Sequence, residues 1–390
     1  MSTVLFTNGL FSKTLAAVRS LGSRGIRTIT SDKTIWHTSG FSKYASKNVT
    51  YPNPKKSPGN FLDWLVTTIR KERCDVLFPM DDDTLEIVVA NRKELDRLVR
   101  IVAPASSCYN IAADKGNTIR LAMERGIPCP KTVEISGQAN HSEDDFLEAI
   151  QIMEYPLVIK PRRSSGSRGI RIVHNRNEFI KTLREIQEVY PNPIIQEWIP
   201  PGIKCDVCLC YDSKHKLVAS FVQKEIRNFP ITRGPSTVHE SIWYPELIKH
   251  STDLMKGIPW CGVVDVEYMI DPRSGVPKLM EINPRFWSSL HLSIRSGVDF
   301  PWIMYQLAME QKVEPISDYI VGKRGRALLP GDVLHFLSNP KRFQMNPPIW
   351  TTKLPDDMVS LHDPLPTVGF LLSALRYSVD INTWKFLIKR

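Results

Sequence analysis

The chain lacks most of the features that would assign a sequence at sight. No apolar run reaches the length of a membrane span. The dinucleotide fingerprint G-x-G-x-x-G does not occur, so NAD binding is not expected. The P-loop pattern G-x-x-x-x-G-K-[ST] is also missing. There is no internal repeat and no low-complexity segment. No Lys/Arg block is interleaved with aromatics and no zinc-finger or RNP pattern appears, so no nucleic-acid partner is expected. Of the seven cysteines, only Cys205, Cys208 and Cys210 cluster, and no second Cys/His group completes a tetrahedral set. They lie in an apolar, β-prone run, where cysteine packs as a small hydrophobe. An odd cysteine count without a secretory signal fits a reducing cytoplasm. The first residues lack a basic stretch ahead of their short apolar run, so a buried strand is expected there, not a signal peptide.

What is present is an ordinary globular composition: 42% hydrophobic and 24% charged residues. A length of 390 residues allows two or three domains. A formal charge of +10 suits acidic ligands such as nucleotides, phosphorylated or carboxylated substrates, or an anionic membrane surface.

Residues 1–105 alternate between strand and helix patterns. Strands are expected at 4–7, 26–30, 75–79 and 98–103, and helices at 13–21, 61–71 and 84–91, the last capped by Asp82 or Asp83. That rhythm predicts a parallel α/β sheet. A helix at 117–125 ends at Gly126, and Pro128 and Pro130 force extended backbone after it. Residues 134–141 read as a loop, and 143–153 and 177–189 as helices. From about residue 199 to Asn283 the chain is strand-rich. Helices follow around 290–310, then a Pro-rich stretch and two terminal amphipathic segments.

Two apolar runs near the end of the strand-rich region carry carboxylates at alternate positions. One contains Asp265 and Glu267, the other Glu281 and Asn283. In a strand, residues i and i+2 share a face, so Glu281 and Asn283 project together and Glu267 can oppose them. Two carboxylates and an amide oxygen form a hard donor set suited to Mg²⁺. The bland reading is a hairpin with a wet acidic face. Upstream, an apolar strand delivers Lys160 to a loop with Ser164, Ser165, Gly166, Ser167 and Gly169 and three arginines. Glycines there let backbone N–H groups approach phosphate oxygens; a plain flexible hairpin is the alternative. Glu197, Trp198 and Ile199 precede Pro200 and Pro201, so backbone groups released from a ladder can meet an adenine edge, or simply mark an edge strand leaving a sheet.

Taken in order, Asp114-Lys115, Gly126 to Pro130, Val158 to Pro161, residues 164–169, Gln196 to Gly202, Asp265 to Glu267 and Glu281 to Arg285 resemble the ATP-grasp superfamily. The resemblance is to its carbamoyl-phosphate-synthetase-like and carboxylate–amine ligase branch and spans roughly residues 1–310. It implies a mixed α/β and α+β architecture. A pre-ATP-grasp domain would occupy 1–105, the ATP-grasp subdomains 106–195 and 196–315, and an appendage 316–390. It implies ATP as substrate with two Mg²⁺ ions, replaceable by Mn²⁺. Lys115 and Lys160 would meet the phosphates, and the 164–169 loop would close over them. Glu197 would accept from the adenine amino group, with the backbone of Trp198 and Ile199 beside it. Lys204 occupies the usual ribose offset, so Asp206 is the ribose candidate. Glu267, Glu281 and Asn283 would hold metal, and Arg285 would steady the transferred phosphate.

Lys224, Arg227 and Arg233 are candidates for substrate contacts, against a solvated basic face; His239 is expected to be structural. The implied activity is amide-bond formation between a small carboxylate and an amine through an acyl-phosphate. Two alternatives stand beside it: a carboxyphosphate-forming enzyme and a non-catalytic ATP-binding regulator. A homodimer and a membrane-surface contact are further options for the chain, and a packed helical appendage is expected at its C-terminal end.

Overall fold

The computed structural model describes residues 2–135, 143–164, 166, 168–231 and 234–378. Three sheets organise them. The strands β1 (Thr3–Phe6), β2 (Arg27–Asp32), β3 (Lys47–Thr50) and β4 (Val76–Phe78) form a parallel sheet in the order β3-β2-β1-β4. Helices Ser12–Gly22, Pro58–Glu72 and Asp82–Ala90 join them in the expected rhythm. Three details differ from expectation, and the first is β3, which no expected strand covers. The predicted strand at 98–103 reduces to a single parallel bridge between Val76 and Arg100. Asp82 and Asp83 lie inside the first helical turn, and Asp81 stands at the N-cap without a side-chain cap bond. Its carboxylate is engaged elsewhere, by Lys13 at 2.6 Å.

A second, antiparallel sheet is built from β5 (Thr132–Glu134), β6 (Leu157–Lys160), β7 (Arg171–Val173) and β8 (Ile194–Glu197), ordered β5-β8-β6-β7. The helices Glu143–Ala149 and Arg176–Gln187 accompany it. The expected loop at 134–141 falls almost wholly outside the described residues.

The third sheet holds the candidate site. Its strands are β9 (Lys204–Tyr211), β10 (Leu217–Asn228), β11 (Ser236–Ser241), β12 (Gly262–Ile270), β13 (Pro277–Asn283) and β14 (Arg324–Arg326). They are antiparallel, in the order β13-β12-β9-β10-β11-β14. The helix Pro245–Met255, which the strand-rich reading passed over, packs on one face.

Strand alternation gives this sheet two different faces. Cys205, Val207, Leu209, Val222, Val264, Val266, Tyr268, Leu279 and Ile282 line an apolar face buried under that helix and Trp260. Leu279 and Ile282 are three apart, yet share the face because the β12–β13 register slips between Glu267 and Tyr268. The same slip sends Glu281 and Asn283 to the opposite face. There Cys208, Cys210, Ala219, Phe221 and Val263 pack against the N-terminal helix and the helix Phe300–Ala308. Beyond these apolar residues the face becomes polar, and this is where the site lies. The cysteines are all free, and the three clustered ones are buried core side chains, as expected.

After β14 the chain folds back. Asp363 accepts from Arg19 Nε at 2.9 Å, Ser42 Oγ at 2.7 Å and the Lys43 N–H at 2.9 Å. The helix Leu365–Ser378 then lies on the turn Thr38–Phe41 of the first unit. The expected closing segment at 384–390 lies outside the described residues.

Candidate active site

Register alone assembles the floor of the site. Gln223 pairs with Asp206, Asp206 with Glu267, and Glu267 with Glu281, a row crossing four adjacent strands. One step along, Asp265 pairs with Asn283. Glu267, Glu281 and Asn283 are therefore brought together, as the alternating pattern predicted. Asn283 Nδ2 donates to Glu267 Oε1 at 2.6 Å and to Asp265 Oδ2 at 3.3 Å. Gln223 Nε2 donates to Asp206 Oδ2 at 2.7 Å, and Lys204 pairs with Glu225 at 3.2 Å.

So many buried carboxylates cannot all stay ionised without cations. Burial, with Glu281 and Asp206 alongside, pushes the Glu267 carboxyl up to about 8. Burial and Glu225 push Asp206 up to about 7, and burial does the same to Glu225 against the pull of Lys204. Burial, Asp206 and Glu267 raise Asp265 as well. Glu281 differs. Burial pulls it up, but Lys115, through charge and a hydrogen bond, and Lys160 hold it below the ordinary value. Lys115 Nζ lies 2.9 Å from Glu281 and donates to the Ser164 carbonyl at 2.8 Å. Among the described residues no three His, Cys, Asp or Glu side chains already converge on a metal position: Lys115 holds Glu281, and the Asn283 amide holds Glu267. The donor set is all oxygen and overloaded with negative charge. It fits a hard divalent cation, whose binding would relieve the repulsion that raises Glu267.

Lys160 ends β6 above this floor. Burial lowers it to about 8, against the opposing pull of Glu281. The following loop begins with Arg162, clamped to Asp114 at 2.8 Å. Asp114 also caps the helix Lys115–Glu124 by accepting from the N–H groups of Gly116 and Asn117. Lys115 is thus fixed at the first turn of a helix. Gly166 and Gly169 have φ of 63° and 74°, where a side chain would be strained. Ser165 and Ser167 lie outside the described residues.

Two cavities flank Glu281. One, of about 280 Å³, is lined by Lys115, Ser164, Arg168, Glu281 and Asn283. The other, of about 330 Å³, is lined by Lys13, Asp206, Glu225, Glu267, Glu281 and Arg285. Arg285 reaches across to the first unit: its Nε lies 3.0 Å from Asp82 and 3.3 Å from Asp81. Burial opposes its charge, but Asp82 and Asp81 raise its pKa above the usual arginine value. Lys13 and Arg285 hold Asp81 at about 2 despite its burial.

Several sequence-predicted residues are placed otherwise. Glu197 Oε1 accepts from the Lys131 N–H at 3.0 Å and from Lys278 Nζ at 2.7 Å. Neither Glu197, Trp198 nor Ile199 lines the two cavities. Asp206 sits in the second cavity beside Glu267, not at the exit of β8. Lys224 alternates with the inward Gln223 and Glu225, and pairs with Glu240 at 3.1 Å. Arg227 is buried in a two-pronged pair with Asp332, both distances 2.9 Å. Lys224 and Arg227 therefore do not reach the cavities. Arg233 lies outside the described residues. His239 is buried beside His291, as a structural histidine would be, with ring centroids 5.1 Å apart. Missed in the sequence were Lys13, Asp81, Lys204 as a partner of Glu225, and Glu225 itself. The Lys204-x-Asp206 and Gln223-x-Glu225 alternation was the available signal for the last two.

A family model described as "ATP-grasp domain" matches residues 112–289. The chain is 24% identical over 202 residues to the C-terminal section of the carbamoyl phosphate synthase large chain of Methanopyrus kandleri, covering 49% of this chain and 36% of that protein. It is 28% identical over 183 residues to D-alanine–D-alanine ligase A of Bacillus cereus, covering 45% of this chain and 58% of that protein. The chain thus spans about a third of the first relative and somewhat over half of the second. Biotin carboxylase from Campylobacter jejuni, solved as a β,γ-ATP complex, aligns with a TM-score of 0.67 over 82% of this chain and 74% of that one. At 16% identity this is a likeness of fold.

Proposed function

We propose that residues 112–289, which match a model of the ATP-grasp domain, form such a domain, and that the chain is an ATP-dependent carboxylate–amine ligase working through an acyl-phosphate. The observation that carries this reading is the convergence of Glu267, Glu281 and Asn283 on one face, directly beneath Lys115 and beside Lys160. The same reading divides the chain at about residues 105, 195 and 315.

A carboxylate resists nucleophiles because its charge repels them. In the reaction a carboxylate oxygen attacks the γ-phosphorus of ATP, and the bond to ADP breaks. The amine then attacks the acyl carbon, loses a proton, and phosphate leaves with the carbon–oxygen bond's electron pair. Two anions must meet, so cations line the path. Lys115 and Lys160 face the phosphates, and Arg285 steadies the transferred group, itself held by Asp81 and Asp82. Mg²⁺ held by Glu267, Glu281 and Asn283 would supply charge neutralisation between nucleotide and acid. The Gly166 and Gly169 turns let the loop backbone approach phosphate and shield the intermediate from water. The adenine edge would be met by the Glu197 carboxylate and by backbone groups around Trp198 and Ile199. Glu225 and Asp206, in the second cavity, face the amine.

Incubation with ATP, Mg²⁺ and pooled amino acids tests the reading. Phosphate release requiring both a carboxylate and an amine is expected. Release driven by bicarbonate alone would favour carboxyphosphate chemistry, and tight ATP binding without turnover would favour a regulator.

A further inference from the structure

The helix Leu365–Ser378 is built inside out. The residues it presents to the protein are small or compact: Pro366, Gly369 and Ser373 are buried. Gly369 is required there, because a Cβ would lie 2.6 Å from the Phe41 ring. Ser373 Oγ donates to the Trp36 carbonyl. Phe370 and Leu372 are half-buried, but several large residues point away. Leu365, Val368 and Leu371 are 54%, 44% and 49% exposed, and the neighbouring Ile35 and Trp36 are exposed too. A helix in an ordinary surface position does the reverse, burying its leucines and wetting its small polar residues.

The chain leading into it is equally one-sided in its exposed charge. Between residues 333 and 378 the acids are Asp356, Asp357 and Asp363, and all three are buried or nearly so. Asp363 is held by Arg19, and Asp356 by Arg326 and the Leu328 N–H. Of the Lys and Arg residues there, Lys341, Lys353 and Arg376 are exposed and Arg342 is half-buried. The sequence that follows adds Trp384, Phe386, Leu387 and Ile388 together with Lys385, Lys389 and Arg390, against one acid, Asp380. No helix among the described residues is long and apolar enough to cross a membrane.

An outward apolar stripe, exposed bases along the same stretch of chain and inward acids match one surface chemistry: an apolar layer beneath anionic head groups. We propose that the outward face of the helix Leu365–Ser378, with Ile35 and Trp36, docks this protein on an anionic phospholipid surface. The lipid face is formed by Leu365, Val368 and Leu371, with Arg376 at its edge. None of these residues belongs to the candidate active site, so the inference stands independently of the ligase reading.

The test is co-sedimentation of the full chain with phosphatidylserine/phosphatidylcholine vesicles and with phosphatidylcholine vesicles alone. Binding to the anionic vesicles, weakened by salt and at least roughly tenfold tighter than to neutral ones, is expected. Val368→Glu with Leu371→Glu should abolish it, with the circular dichroism melt confirming a folded protein. Arg376→Ala, an exposed single change, should weaken it roughly fivefold. Absence of binding, or equal binding to both vesicle types, would overturn the proposal. So would a concentration-dependent dimer that the double variant abolishes, since a second copy would then be the occupant.

Discussion

Two clusters of buried charge sit on the same six-stranded sheet and behave in opposite ways. At the β10 end, Arg227 meets Asp332 in a two-pronged pair that leaves neither charge uncompensated. In the middle, Asp206, Glu225, Asp265 and Glu267 crowd together, and burial with mutual repulsion raises all four. The first arrangement is complete without a ligand. The second is not, because its carboxylates exceed the cations that reach them. A buried charge cluster that satisfies itself holds the fold; one that cannot is prepared for a cation from outside.

That contrast is open to attack from both sides. Arg227→Ala leaves Asp332 buried and alone, so it should cost about 3–5 kcal/mol of stability, read from urea denaturation. The folded fraction should keep its kcat; a selective loss of kcat would return Arg227 to the site. Glu281→Ala should do the reverse, lowering kcat by roughly 10²–10³ while the protein stays folded. Near-normal turnover would remove Glu281 from the reaction. Lys160→Ala should raise the KM for ATP roughly tenfold with a smaller effect on kcat, since one charge-assisted phosphate contact is lost. An unchanged KM would reject its phosphate role.

The smallest effect concerns a buried pair of imidazoles. Burial lowers His239 to about 3, and burial with His239 nearby lowers His291 well below its usual value. Both imidazoles stay neutral in the fold, while the unfolded chain protonates them near 6.5. The unfolded state then binds more protons, so stability rises with pH through this window and falls below about pH 6.5. At one pH unit under that point the loss should be about 1.4 kcal/mol per imidazole, seen as a lower urea midpoint. His239→Leu should flatten part of that dependence.

Legibility in the sequence followed the range of the interaction. Glu267, Glu281 and Asn283 could be read because strand alternation is local, and their two strands are joined by a short connector. Lys160 and the glycines of its loop were legible for the same reason. Lys13 and Asp81 were not: they lie 68 residues apart and meet Arg285 only through the packing of two units. Arg227 and Lys224 were assigned to the site because basic residues on a strand carry no mark of the face they serve. The partner that fixes Arg227 is Asp332, 105 residues away, and the register shifts on either side of Arg227 defeat simple alternation. The ion pair of Glu197 was hidden for a related reason: Lys278 belongs to a different sheet, 81 residues on.

Manganese binding puts the central idea to the most direct trial. Mn²⁺ titrated into the protein with ADP present can be followed by its free-ion electron paramagnetic resonance signal. The native chain should take up the ion, and both Glu267→Gln and Glu281→Ala should lose that uptake while remaining folded. Equal uptake by the native chain and both variants would contradict the assignment of these strands as the metal's seat.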